Sequence, residues 1–186
     1  YQRAIKMRPA YIDAHIGLAR AYLEAGDFDK AERALAAARR AKPGSAEVSA
    51  IEGRLLKSTD DESRAIAAFK RAIREGNGFQ PEAHAGLGLL YKERAESAGA
   101  GGDYAQEKAS YAEAARNLSV AIKQLSGAPD SVVLYQLLGL VYEQQKQLDK
   151  AIAVYEEFLM LFPGHPEAEA FASFIVQLIK QIAEQQ

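Results

Sequence analysis

The sequence predicts an all-α chain in which one helical hairpin is repeated four times, and three observations carry that expectation. The first is a recurring segment. AHAGLGLLY at Ala83–Tyr91 returns as AHIGLARAY at Ala14–Tyr22, as LYQLLGLVY at Leu134–Tyr142 and, more weakly, as VSAIEGRLL at Val48–Leu56. The second is a period of 34 residues, which separates Pro9 from Pro43, Tyr1 from Leu35, Ala4 from Ala38, Ala19 from Gly53 and Ala31 from Ala65. A fixed period of that size marks stacked repeats. The third is a small residue at one phase of each copy: Ala19, Gly53, Gly88 and Gly139. Glycine inside a helix costs about 1 kcal/mol relative to alanine, so its return points to the close approach of a second helix.

Composition narrows the classes of function. The chain has 186 residues, 23 basic and 25 acidic, for a net charge of −2. Near-neutral charge without long runs of either sign argues against a polyanion-binding tail. The absence of cysteine excludes disulfides and thiol chemistry, and fits either the cytoplasm or a bacterial periplasm. No apolar segment reaches the ~20 residues needed to span a bilayer. The alanine-rich helices suggest a bacterial source. The opening YQRAIKMRP reads as the tail of a helix, so the true start of the protein is expected upstream.

The elements follow in order. Residues 1–8 end a helix that stops before Pro9. The first full hairpin runs from about Ile12 to Lys42, turning at Gly26–Phe28, where Gly26 suits positive φ and Asp27 can cap the next helix. Arg39, Arg40 and Lys42 crowd its end, where cations complement the helix dipole. The second hairpin spans about Ser45–Glu75. The third is lengthened: Gly88 to Gly139 is 51 residues, one period plus 17, and 14 of the extra residues precede Ala114. Its first helix starts at Pro81 and is expected to reach Ser97, SAGAGGD is expected to be a flexible turn, and a helix from Tyr104 to Leu125 returns. Seven extra residues per helix add about two turns, roughly 10 Å, so an arm should project, with Tyr104, Tyr111 and Leu118 along one stripe. The fourth hairpin covers about Asp130–Phe162, and a last helix, Pro166–Glu184, is apolar on more than one face. The expected boundaries within a single domain are 1–9, 10–44, 45–79, 80–129, 130–164 and 165–186.

With these residues in place the chain resembles the tetratricopeptide-repeat family. Gly88, Tyr91, Gly139, Tyr142, Ala31, Ala65, Ala151 and Pro43 stand where that family's pattern expects their types. Ser49, Leu56 and Phe158 depart from it. The resemblance implies a right-handed superhelical solenoid of antiparallel hairpins whose first helices line a concave groove. On that reading Asp13, Ile16 and Arg20 face the groove from the first full repeat, Glu47, Ile51 and Arg54 from the second, and Glu82 and Leu89 from the third. Gln136, Leu137 and Leu140 follow from the fourth, and Phe171 and Phe174 from the last helix. Arg20 and Arg54 would make one end basic and Leu89, Leu140 and Phe174 the other apolar. Some family members grip a peptide's terminal carboxylate with a lysine, asparagine and arginine set. Ile16 and Arg20 occupy the first places of that set here and no asparagine lies on these faces, which argues against such a clamp.

Nothing in the sequence sets out a catalytic, metal or cofactor site. His15 and His84 open first helices as packed spacers, two repeats apart, and His165 lies in a turn expected to be solvated. GLGLL at Gly86–Leu90 lacks the strand and the following lysine of a phosphate loop. Arg20 has Glu24 one turn on as its expected ion-pair partner. The expected function is therefore a non-catalytic adaptor that binds a peptide or helix of a partner protein in the groove. The other two readings are an assembly segment that self-associates through the last helix or the extended hairpin, and the regulatory repeats of a larger enzyme.

Overall fold

The computed structural model describes residues 1–8, 10–125 and 127–184. Pro9, Ser126, Gln185 and Gln186 lie outside the described residues, and with them the expected stop at Pro9, the first residue of the Ser126–Ser131 turn and the end of the last segment. The order of helices is α1 (Gln2–Met7), α2 (Ile12–Glu24), α3 (Phe28–Ala41), α4 (Ala46–Ser58), α5 (Glu62–Glu75), α6 (Pro81–Ala100), α7 (Tyr104–Leu125), α8 (Val132–Gln144), α9 (Leu148–Leu161) and α10 (Ala168–Glu184). A 3-10 turn at Pro129–Ser131 precedes α8, and there is no strand among the described residues. This is an all-α repeat array of helical hairpins, of the solenoid class. Two compact units divide it, 1–86 and 87–186, with the division falling inside α6.

The helix starts follow from the caps. Asp27, Asp61 and Asp103 accept hydrogen bonds from the backbone N–H groups of Lys30, Arg64 and Gln106, at 3.3, 3.2 and 3.0 Å. Each satisfies a donor that the first turn of a helix leaves without a partner. The residue before each cap is left-handed: Gly26 at φ 72°, Asp60 at φ 58° and Gly102 at φ 80°. Lys146 repeats that backbone at φ 59°, but the cap position after it is Gln147, whose side chain makes no capping bond. The two glycines adopt this conformation at no steric cost, whereas Asp60 and Lys146 are held there by the hairpins on either side. The segment read as a flexible turn is shorter than expected. α6 continues through Ala100 and the reversal is confined to Gly101–Asp103.

Packing within each unit repeats one joint. In 1–86 the ring of Phe69 rests on Gly53 and Gly86, and a Cβ added at Gly53 would lie 2.6 Å from that ring. In 87–186 Leu118 sits on Gly88, where a Cβ would lie 2.6 Å from its Cγ, and Tyr155 sits on Gly139. The glycines thus receive a bulky side chain from the second helix of the hairpin, and at Gly88 the backbone N of Leu118 also comes within 3.3 Å of the added Cβ, so the expected close approach is made mainly through side chains. Ala31, Ala65, Ala114 and Ala151, one turn before each bulky residue, are all fully buried. Near the C-terminus the rings thicken into an aromatic core: Phe158 stacks on Phe171 with centroids 3.8 Å apart, and Tyr155 meets Phe171 edge-on at 5.2 Å.

Candidate functional site

In unit 1–86 the face expected to bind is a charged one that is already paired internally. Arg20 on α2 is held by both oxygens of Glu82 on α6, at 3.0 and 2.6 Å, and reaches Glu47 on α4 at 3.3 Å. Arg54 on α4 meets Glu82 at 3.2 Å. Two guanidinium groups and two carboxylates cancel, so this end is not the free basic patch that the sequence implied. Burial works against the Arg20 charge, but hydrogen bonds and attraction from Glu82 and Glu47 outweigh it and raise its pKa. Its partners are 62 and 27 residues away in the chain; Glu24, the expected partner one turn on, is exposed and unpaired with it. Asp13, Glu47 and Glu82 all lie in first turns, where the helix dipole favours acids.

Ile16 and Ile51 do not present side chains to a ligand. They are 6% and 0% exposed, packed in the core formed with Ala19, Leu35, Val48 and Leu55. The resemblance placed both on the groove face; the neighbouring helices enclose them instead. His15 is likewise buried, at 8% exposure.

A second polar cluster in this unit was missed. Ser49, fully buried on α4, donates its hydroxyl hydrogen to Glu75 and accepts hydrogen bonds from Arg39 at 2.8 Å and Arg71 at 3.1 Å. Glu52 accepts from Arg39 and Arg71 at 3.0 and 2.6 Å. Arg39, Glu52, Arg71 and Glu75 of this cluster line an open pocket of about 450 Å³. Arg39 therefore ties α3 to α4 and α5, beyond any role as a cation at a helix end. The signal in the sequence was Ser49 itself, a small residue at the place that His15, His84 and Tyr135 fill in the other copies. Ser49→Ala is expected to lower the stability of this unit by about 1–2 kcal/mol, because it strips a buried partner from charged groups; urea unfolding measures the loss.

In unit 87–186 the expected groove residues separate. Phe171 is 1% exposed and inside the aromatic core, so it does not reach a ligand. The packing of Phe158 and Tyr155 against it is the physical reason. Phe174, half-buried, lies 5.6 Å from the Tyr155 ring. Leu89 and Leu137 are half-buried, and Gln136 and Leu140 are exposed. His165 is not simply solvated: its ring meets Phe158 edge-on at 5.7 Å and its Nδ1 accepts the Glu167 N–H at 3.1 Å. Of the stripe expected along the third hairpin, Tyr111 and Leu118 are buried and Tyr104 is 73% exposed.

Two tyrosines in this unit are buried against carboxylates. Tyr135 donates to Glu157 at 3.1 Å and Tyr155 to Glu143 at 2.7 Å. Burial first, and then the nearby Glu157 charge, push the Tyr135 hydroxyl up to about 12; burial and Glu143 push Tyr155 up as well. A raised tyrosine pKa supports the fold below the unfolded value and withdraws that support as pH climbs through the folded one. Alkaline titration is expected to show a late tyrosinate component near pH 12 that appears together with loss of helical signal.

Among the described residues no group of three or more His, Asp or Glu side chains is placed to hold a metal ion. No described helix is long and apolar enough to cross a membrane. Stacked hairpins with bulky-on-small joints and ionic ties between neighbouring helices define a helical repeat protein. Family models of the tetratricopeptide repeat match residues 1–55 and 132–165, so the chain carries tetratricopeptide repeats in both units. It is similar in structure to PilF of Pseudomonas aeruginosa, with TM-score 0.71, 22% identity, and coverage of 93% of this chain and 69% of that one. Yeast Tom70 matches with TM-score 0.73 and 22% identity over 98% of this chain and 36% of its own. A thermophilic TPR protein of Thermus thermophilus, TTC0263, matches with TM-score 0.66 and 20% identity over 94% and 87%. At these identities the likeness is one of fold. No curated protein sequence matches the chain. As a tetratricopeptide-repeat protein the chain is a scaffold for protein–protein interaction.

Proposed function

We propose that the chain is a non-catalytic adaptor that binds a peptide or helix of a partner protein on the faces of its first helices. The observation that carries this reading is α8, which is apolar on both sides. Leu134, Tyr135, Leu138 and Val141 are buried on one side, while Val133 and Leu140 on the other are 59% and 38% exposed, with half-buried Leu137 between them. Positions 133, 137 and 140 share one helix face. A surface helix that only folds keeps that face polar, so the exposed row supports a partner with apolar side chains. Gln136 lies beside the row and offers an amide to the partner's backbone. The Arg20–Glu82–Arg54–Glu47 cluster of unit 1–86 supplies polar contacts of its own, as an already neutralised surface.

Val133→Asp/Leu140→Asp is expected to abolish capture of a protein partner that the parent chain retains, with the thermal midpoint unchanged. A partner retained equally by both chains would overturn the reading. A second reading has its own support: Val176 and Ile179 on α10 are 67% and 54% exposed, which suits self-association. It requires a solution mass that rises with concentration, and a monomer throughout would remove it.

A further inference from the structure

Unit 87–186 contains a pocket of about 400 Å³ between α7 and the α8–α9 turn, lined by Glu107, Lys108, Tyr111, Gln144, Gln145 and Gln147. Its least ordinary feature is Gln147. The cap position it fills is aspartate before α3, α5 and α7, and in each of those the carboxylate is used by a backbone N–H. Gln147 makes no such bond, and its side-chain oxygen is buried without any hydrogen-bond partner among the described residues. An unpartnered buried acceptor is costly, and the residue that carries it is one of those lining this pocket.

The other groups at the pocket share one polarity. Glu107 is half-buried, lies over Gly99 and has no cation paired with it among the described residues. Tyr111 is 4% exposed, and burial followed by the charges of Glu96 and Glu107 pushes its pKa up, so negative potential reaches its ring. Lys108, the cationic group of the described lining, is exposed. A carboxylate, an unused amide oxygen and an aromatic ring together match a group that carries several N–H donors and a positive charge.

We propose that this pocket receives the ammonium or guanidinium group of a lysine or arginine side chain from a partner segment, with Glu107 supplying the charge and Gln147 the buried acceptor. The proposal is independent of the apolar row on α8. It makes Gln147 a binding residue that has given up its capping bond, and it places Lys108 as a rim charge that opposes entry.

The test uses the full chain and four blocked tripeptides, Ac-Gly-X-Gly-amide with X arginine, lysine, citrulline or aspartate, followed by NMR shifts and calorimetry. The arginine or lysine peptide is expected to shift the Gln147 side-chain amide and the Tyr111 ring. Citrulline, which keeps the shape and loses the charge, should bind about tenfold or more weaker. Glu107→Gln should weaken binding by a similar factor, and Lys108→Gln should strengthen it. Gln147→Met should weaken binding while leaving the thermal midpoint unchanged or raised, since it removes the unpartnered oxygen. Spermidine distinguishes a free polyamine from a side chain: binding tighter than that of either basic peptide overturns the peptide assignment. Shifts at these residues from the aspartate peptide, citrulline binding equal to arginine, no response to any of the four peptides, or a Glu107→Gln variant that binds unchanged would each overturn the site.

Discussion

Phe69→Ala is expected to cost unit 1–86 about 3–5 kcal/mol, the range for removing a fully buried phenylalanine. Phe69 is 0% exposed, and its ring is the wedge between Gly53 of α4 and Gly86 at the start of α6. Neither glycine has a side chain to move into the space that alanine would leave. The cavity therefore stays open and lacks the atoms that would refill it. Because each element of a repeat array leans on its immediate neighbours, the loss should be local. Amide exchange should quicken first in α4 and α5, with α9 and α10 keeping their protection. Loss spread evenly over the chain, or below about 1 kcal/mol, would show that the ring is not the wedge described. Phe69→Leu separates volume from shape. Leucine fills the corresponding place at Leu35 and Leu118, so most of the stability should return.

The repeat was legible because every hairpin solves the same packing problem with small and bulky residues at the same places. Ala31, Ala65, Ala114 and Ala151 are buried in all four hairpins, and the helix ends follow from Asp27, Asp61 and Asp103. What could not be read was depth. The family resemblance put Ile16, Ile51 and Phe171 on a groove face, yet their burial depends on neighbouring helices that the repeat pattern does not specify. Partner choice failed for a related reason. Local rules offer Arg20 the carboxylate of Glu24, whereas the fold brings Glu82 and Glu47 to it. The Gly/Ala segment after Ser97 was read by composition as loop, but alanine favours helix strongly enough to carry α6 to Ala100. Gln147 was discoverable. It breaks a run of capping aspartates, and such a local departure marks either strain or function.

Gly139→Ala tests whether these joints are specific pairs or a general tolerance for small residues. Alanine would restore about 1 kcal/mol of helix propensity, so an empty site would become more stable. The site is not empty. A Cβ on Gly139 would overlap the Tyr155 ring, which is 0% exposed and tied through its hydroxyl to Glu143 at 2.7 Å. Phe171 and Phe174 also pack against it, at 5.2 and 5.6 Å between ring centroids, and restrict its movement. Overpacking of that kind costs about 1–3 kcal/mol, at the upper end where the neighbour is fixed. The expected net effect is a loss of about 2 kcal/mol in unit 87–186. The first hairpin supplies the control, because Ala19 and Leu35 occupy the two places there, 0% and 4% exposed. Gly139→Ala/Tyr155→Leu recreates that pair, and a double-mutant cycle should show the alanine costing far less beside leucine than beside tyrosine. Equal cost in both backgrounds would place the clash in the helix backbone instead and remove the side-chain-on-glycine joint as the unit of this fold.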